Sequence, residues 1–233
     1  MRRIGFTLIE LLVVASIIVL LAALLLPAIS MVRASGIKAK CASNQRQLAM
    51  AILAYSDVNN DRMPLCHVAG SPKQGSYYMR KSNEWAGGFG LLYVTGILDD
   101  KSAYYCPAVD EAAFDEDGSD NAWPPGTGSK TRCSYSLRPA AGWDFDGPIV
   151  EQLSLRTDYG AMDAMSSCLC AQEIYVEEGH RTGLNVSYGD GHIGWVPREA
   201  VKDTLSQLDG QGSSYDAIFD QLWVDFGTYA ASR

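Results

Sequence analysis

At 233 residues, 47% of them hydrophobic and 20% charged, the chain has globular composition and enough apolar material for one core even when a long apolar segment is set aside. A formal net charge of -8 with no basic stripe excludes a nucleic-acid-binding surface, because neutralising phosphates requires clustered Lys and Arg. The acidic run of Asp110, Glu111, Asp115, Glu116, Asp117 and Asp120 reads as a solvated loop, with a cation site as the sharper alternative.

The chain opens Met1-Arg2-Arg3-Ile4-Gly5-Phe6-Thr7-Leu8-Ile9-Glu10, a short basic leader running into an apolar segment. From Leu11 to Ile29 only Ser16 and Pro27 interrupt that segment. Extended back to Phe6, it is long enough to cross a hydrocarbon core of about 30 Å as a helix. Glu10 is the anomaly. A carboxylate in a membrane helix costs up to ~3 kcal/mol at the helix centre and less near the end, so it needs a partner. Cleavage after Gly5 would give Phe6 a free amine one helical turn away, at the helix end where the dipole already favours a carboxylate. In a bundle, the amine of a neighbouring subunit would serve the same purpose.

The stretch Gly5-Phe6-Thr7-Leu8-Ile9-Glu10 resembles the processing site of type IV pilins and type II secretion pseudopilins. In that family a prepilin peptidase cuts after the glycine and methylates the new phenylalanine, and the glutamate supports subunit assembly. The resemblance implies those roles for Gly5, Phe6 and Glu10. Pro27 matches a proline that the family places late in the same helix, where the lost backbone hydrogen bond loosens or kinks it. Two other readings compete: a secretory signal cleaved near Val32-Arg33-Ala34, and a plain signal anchor. The first is disfavoured because a secretory apolar core runs only ~7 to 15 residues. Arg2 and Arg3 on one flank face Arg33, Lys38 and Lys40 on the other, so charge alone leaves orientation open. The expected placement is a single pass through a bacterial inner membrane, leader inside and head in the periplasm or outside the cell. It rests on the resemblance.

Beyond Pro27 the helical pattern continues, with Ile37, Cys41, Leu48, Ile52 and Tyr55 recurring at multiples of three to four residues and Asn44 and Gln45 interrupting the stripe. The helix should stop near Asp57-Val58-Asn59-Asn60-Asp61, which makes Phe6 to Ser56 a rod of roughly 75 Å. The chain then divides into a leader at 1–5, a helix at 6–57 that is transmembrane at about 6–29, and a head at 58–233. Asp57, Asn59 and Asp61 have the alternating oxygen spacing of a calcium loop, and some pseudopilins resembling this chain bind calcium. Arg62 and Val68 stand where an EF-hand needs Gly and Glu, so a helix-ending polar turn is the stronger reading. Calcium is the weak alternative, and no other metal or cofactor is expected.

The head alternates short apolar segments with Gly, Pro, Ser and Asp clusters, shows no internal repeat, and reads as one irregular α+β unit with an antiparallel sheet. A helix and turn are expected over Glu84 to Leu98, and a brief strand at Ala103 to Cys106 ended by Pro107. Ser119 to Lys130 reads as loop, with strands at Ser134 to Leu137 and Cys168 to Ala171. The clearest feature is a hairpin from Leu184 to Val196 with Asp190-Gly191 as a two-residue turn, which sets His192 beside Gly189. Helices are expected at Arg198 to Leu208 and Tyr215 to Phe226, the second with Ile218, Leu222 and Phe226 on one face.

Cys41, Cys66, Cys106, Cys133, Cys168 and Cys170 form an even set without paired metal-ligand spacing, which in an exported protein suggests disulfides, with about fifteen pairings open. Cys168 and Cys170 are two apart in a strand-like stretch and should seek different partners. His180, nine intervening residues, then Asp190-Gly191 resembles the processing-associated box near the C-terminus of a large group of prepilin-type proteins. Cys41-Ala42-Ser43-Asn44-Gln45-Arg46-Gln47-Leu48, Tyr55 to Pro64, Trp85 and Tyr105-Cys106-Pro107 fit the same group in order. A metal site made of His180, Asp190 and His192 is opposed by the hairpin pairing. The preferred reading gives Asp190-Gly191 to turn geometry and has His180 hydrogen-bond a loop.

Together these features lead to an expectation of a non-enzymatic structural subunit, cut by prepilin peptidase and assembled with other pilin-like subunits into a pilus-like or type II secretion filament. The alternative is a membrane-stalked module that binds glycan or another surface ligand through exposed aromatics around Trp85, Trp123 or Trp143. A third reading, an exported enzyme, has no Ser, His and Asp set with legible geometry behind it.

Overall fold

A computed structural model of the chain describes residues 7–64, 76–81, 84–85, 88–110, 114, 121, 123, 130–138, 158–208 and 215–233. Gly5, Phe6, Cys66, Trp143 and most of the acidic run lie outside the described residues. By its internal contacts the chain divides into Met1–Ala39 and Lys40–Arg233.

The described part of the first unit is helix from Leu8 on. α1 runs Leu8–Val58 and passes through Pro27 without interruption. Its start is a reciprocal capping box. The Glu10 carboxylate accepts from the Thr7 backbone N–H at 2.8 Å and from the Thr7 hydroxyl at 2.9 Å, while the Glu10 N–H donates back to Thr7 Oγ1 at 3.2 Å. Ser16 and Ser30, the other hydroxyls of the apolar half, donate to Leu12 and Pro27 carbonyls at 2.7 and 2.8 Å, so neither needs water. Among the described residues α1 is the one helix long and apolar enough to cross a membrane, and none of its most apolar window is buried.

The second unit begins on the same helix, and here α1 buries Cys41, Asn44, Gln45, Leu48, Ala49, Ala51, Ile52 and Ser56. The three-and-four spacing is the expected stripe, with one correction: Asn44 and Gln45 do not interrupt it but lie fully inside it. Each is tolerated there because its amide reaches a backbone carbonyl. Asn44 Nδ2 donates to the Ser102 and Tyr105 carbonyls at 3.0 and 2.9 Å, and Gln45 Nε2 donates to the Asn185 carbonyl at 3.1 Å. The helix stops where Asn60 and Asp61 take left-handed φ values of 56° and 62°. There the Asp61 N–H returns to the Ser56 carbonyl at 2.9 Å, and the Asn59 side chain donates to the Tyr55 carbonyl at 2.8 Å.

The rest of the second unit is α+β with two antiparallel sheets. Strands β1 (Tyr78–Lys81), β2 (Glu84–Trp85) and β3 (Thr131–Arg132) form a small sheet in the order β2-β1-β3. Strands β4 (Tyr135–Leu137), β5 (Ala164–Cys168), β6 (Gly183–Tyr188) and β7 (Ile193–Pro197) form the larger one in sequence order. Among the described residues the unit also carries helices α2 (Phe89–Val94), α3 (Glu173–Glu178), α4 (Lys202–Leu205) and α5 (Tyr215–Ala231).

Every residue of β6 is buried, which a strand achieves only when both faces of its sheet are covered. One face carries Leu184, Val186 and Tyr188, and the Tyr188 hydroxyl donates to the Phe226 carbonyl of α5 at 3.3 Å. α5 presents Phe219, Leu222, Trp223 and Phe226, all at most 1% exposed. Each such side chain is worth about 1.5–3 kcal/mol of apolar burial. The other face, with Asn185 and Ser187, looks toward Gln45 of α1.

Several expected elements differ. Glu84 and Trp85 pair with β1 as a strand, so the helix begins only at Phe89. Ala103 and Tyr104 belong to a 3-10 turn at Lys101–Tyr104, because the Asp100 carboxylate caps the Ser102 N–H at 3.0 Å and outweighs the strand preference of two tyrosines. The expected strand at Cys168 to Ala171 lies earlier and ends at Cys168. The segment from Arg198 to Leu208 is broken into a 3-10 turn at Arg198–Ala200 and the short α4.

The hairpin is present with its register moved by one. Ser187 pairs with Ile193 and Val186 with Gly194, so the loop holds Gly189, Asp190 and Gly191, and Tyr188 rather than Gly189 stands opposite His192. Gly191 decides this. Its φ of +84° is the left-handed position that follows a type I turn, and its N–H closes that turn on the Tyr188 carbonyl at 2.8 Å.

Candidate functional site

The box from His180 to Gly191 divides between the two ends of β6. At the turn end, the Asp190 carboxylate accepts the His192 N–H at 2.9 Å and meets His192 Nδ1 at 2.5 Å. The backbone hydrogen bond from His192 holds the Asp190 carboxyl below the usual carboxylate range. The His192 ring stacks on Tyr188 at 4.5 Å between centroids. These contacts fix a turn. Six strand residues at about 3.3 Å each separate them from the His180 end, so His180, Asp190 and His192 form no common site. The nine-residue spacing is therefore a measure of strand length.

The other end is chemically richer. α3 stops at Glu178, the Gly179 and Arg181 N–H groups return to the Tyr175 and Val176 carbonyls, each at 3.1 Å, and Arg181 takes a φ of +62°. The Arg198 guanidinium holds α3 in place by bridging Glu173 and Glu177, the latter at 2.6 Å, while the Arg198 N–H donates to the Thr182 carbonyl at 2.9 Å. This reversal turns His180 inward, with Nε2 at 3.3 Å from Cys106 Sγ and the ring edge-on to Trp195 at 5.5 Å.

Cys106 arrives from a different direction. It follows the 3-10 turn that Asn44 clamps through the Ser102 and Tyr105 carbonyls, and Asn44 sits one helical turn from Cys41 on α1. Cys168 is the last residue of β5, directly opposite Tyr135 of β4. Its Sγ lies 3.2 Å from Cys41 Sγ. The ligand-type atoms of Cys41, Cys106, Cys168 and His180 all lie within 4.8 Å of one another. The three thiols are buried at 0%, 3% and 6% exposure and the imidazole is half-buried.

Donors aim at these sulfurs. The Asn185 N–H reaches Cys168 Sγ at 3.4 Å with Gln45 Nε2 at 4.0 Å, and the Tyr135 hydroxyl donates to Cys41 Sγ at 3.7 Å. Burial pushes the Cys168 thiol well up. Burial also opposes charge at Cys41, yet hydrogen bonds from Cys106, Cys168 and His180 hold that thiol well below its ordinary range.

The remaining described cysteines stand apart as neutral thiols. Burial pushes Cys133 up to about 12 and Cys170 up to about 11. Cys133 donates to the Tyr77 and Tyr135 carbonyls, and Cys170 pairs with Ser167 Oγ at 3.0 Å. Cys168 lies beside Cys41 and Cys170 beside Ser167, and the five described cysteines are free thiols. Asp57, Asn59 and Asp61 sit at the end of α1, where Asn59 and Asp61 make the hydrogen bonds that close the helix.

Spacing alone missed the cluster, because its members come from four separate segments and no two form a C-x-x-C pair. The signal that points to three of its four members is the set of motif stretches carrying one cysteine or histidine each: Cys41 to Leu48, Tyr105 to Pro107, and the box that begins at His180; none of these stretches carries Cys168. Trp123, one of the aromatics considered for ligand binding, packs instead among Tyr93, Tyr104 and Tyr105 with centroids 4.7, 5.7 and 6.2 Å away.

A long apolar N-terminal helix followed by a small α+β head with an antiparallel sheet is compatible with a pilin-like fold. No family model matches the chain, and no curated protein or solved structure matches it either.

Proposed function

We propose that this chain is a pilin-like structural subunit, cut after Gly5 by a prepilin peptidase, methylated on Phe6, and assembled through α1 with other pilin-like subunits into a pilus-like or secretion-type filament at a bacterial inner membrane. The observation that carries this reading is the state of the N-terminal half of α1. Between Leu8 and Val32 its large apolar side chains are 49% to 85% exposed, so the helix needs lipid or other helices around it. The sequence Gly5-Phe6-Thr7-Leu8-Ile9-Glu10 distinguishes this from an ordinary anchor. Glu10 supports the reading further: its carboxylate is drawn to the N–H of Thr7, the residue after Phe6, where a new terminal amine would meet it.

Mass spectrometry of the mature N-terminus tests the proposal. A chain beginning at methylated Phe6 is expected. One beginning at Ser35, or retaining Met1, would overturn it.

A further inference from the structure

We propose that Cys41, Cys106, Cys168 and His180 bind one zinc ion in tetrahedral coordination, forming a structural centre that joins α1 to the large sheet. This inference goes beyond the filament reading and does not depend on it. Four groups of the right type converge at one point. Three sulfurs and one imidazole nitrogen are the donor set of closed structural zinc sites, and thiolate-rich tetrahedral sets favour zinc over harder cations. With Zn–S near 2.3 Å and Zn–N near 2.0–2.1 Å, a tetrahedral site has ligand-to-ligand edges of about 3.5–3.8 Å. The cluster brackets those values, with Cys41 to Cys168 at 3.2 Å, Cys106 to His180 at 3.3 Å, and no pair beyond 4.8 Å.

The surroundings fit the same occupant. The Asn185 N–H, the Gln45 amide and the Tyr135 hydroxyl point protons at Cys168 and Cys41, a pattern suited to metal-bound thiolates, whose remaining lone pairs accept hydrogen bonds. Binding releases the thiol protons to solvent and leaves the imidazole neutral with Nε2 on the metal. The positioning devices already described then acquire a common purpose. Asn44 sets Cys106 against Cys41, β4 sets Tyr135 over Cys168, and Arg198 anchors the helix that delivers His180. Cys133 and Cys170 are equally buried but contribute nothing, so burial of thiols alone does not define the cluster.

The test is elemental analysis of the full chain, purified in detergent and dialysed against a weak chelator. About one zinc per chain is expected, unchanged in Cys133→Ser and Cys170→Ala and reduced at least ~10-fold in Cys106→Ser and His180→Ala. Should the ligand variants fail to fold, the wild-type protein still decides. Cobalt exchange should give a thiolate-to-metal absorption band with tetrahedral ligand-field bands, and stripping the metal with a strong chelator should lower Tm by roughly 10 °C or more. A wild-type chain without stoichiometric zinc and without the cobalt–thiolate band would overturn the proposal. So would an intact mass two hydrogens light with peptide mapping that joins Cys41 to Cys168. Sequencing the N-terminus of the same sample reports on the filament reading separately.

Discussion

The two halves of α1 are written for different surroundings. Up to Val32 the large side chains are uniformly apolar and uniformly exposed, and the few polar groups are satisfied inside the helix by capping or by back-bonding to carbonyls. From Cys41 onward apolar residues occupy a stripe, and two amides are buried within it. The apolar half needs no partner of defined shape, because any apolar surroundings, lipid or another greasy helix, would cover it. The buried half is specific. Each of its two buried amides donates to a named carbonyl, and a shifted register would leave those donors unpaired in the core.

That contrast can be broken most directly by cutting between the halves. A chain beginning at Lys40 should move from the membrane fraction to the aqueous one and keep its melting temperature within about 2 °C, since the second unit contains its own core. Retention on membranes, or an unfolded product, would show that the two halves are not independent.

Truncations sharpen the comparison next. Trp223→Ala, which empties the centre of the α5 face, should cost about 3–5 kcal/mol in urea unfolding of the head. Leu24→Ala removes a comparably large apolar group from the exposed half and should change head stability by less than about 0.5 kcal/mol. Asn44→Ala should cost about 1–3 kcal/mol by the same measurement, because the Ser102 and Tyr105 carbonyls lose their donor. An effect as small as that of Leu24→Ala would mean that water replaces the amide and that the stripe is less specific than it looks.

A smaller loss than that of either core truncation is expected in the hairpin. Gly191→Ala meets no steric obstacle beyond an ordinary contact with Leu53 at 3.8 Å, so its cost comes from the left-handed φ alone, about 1 kcal/mol. Equal stability of variant and wild type would argue against the three-residue turn.

Much of this architecture was legible from residue order. The apolar run, the stop near Asp57, the α+β character of the head, the hairpin and the helix from Tyr215 all follow from periodicity and turn chemistry, which are local signals. Three features were not. Asn44 and Gln45 looked like breaks in a stripe because a buried amide is recognisable only once its acceptors are placed. The Thr7 and Glu10 capping box was open to inspection as a T-x-x-E pattern but was masked by the question of why a carboxylate sits in an apolar segment. The hairpin register depended on a single φ angle, and Asp190-Gly191 suits a two-residue turn as well as a three-residue one.

The thiol and imidazole cluster marks the boundary between the two kinds of information. Sequence alone determined that one helix begins as an apolar segment long enough to cross a membrane and continues into a folded head, since hydropathy and helical period act on neighbours along the chain. Only the tertiary structure decided that Cys41, Cys106, Cys168 and His180 meet. Their encounter depends on a helix, a capped turn, a strand end and a chain reversal packing against one another, and side-chain chemistry carries no record of which distant segment will arrive beside it.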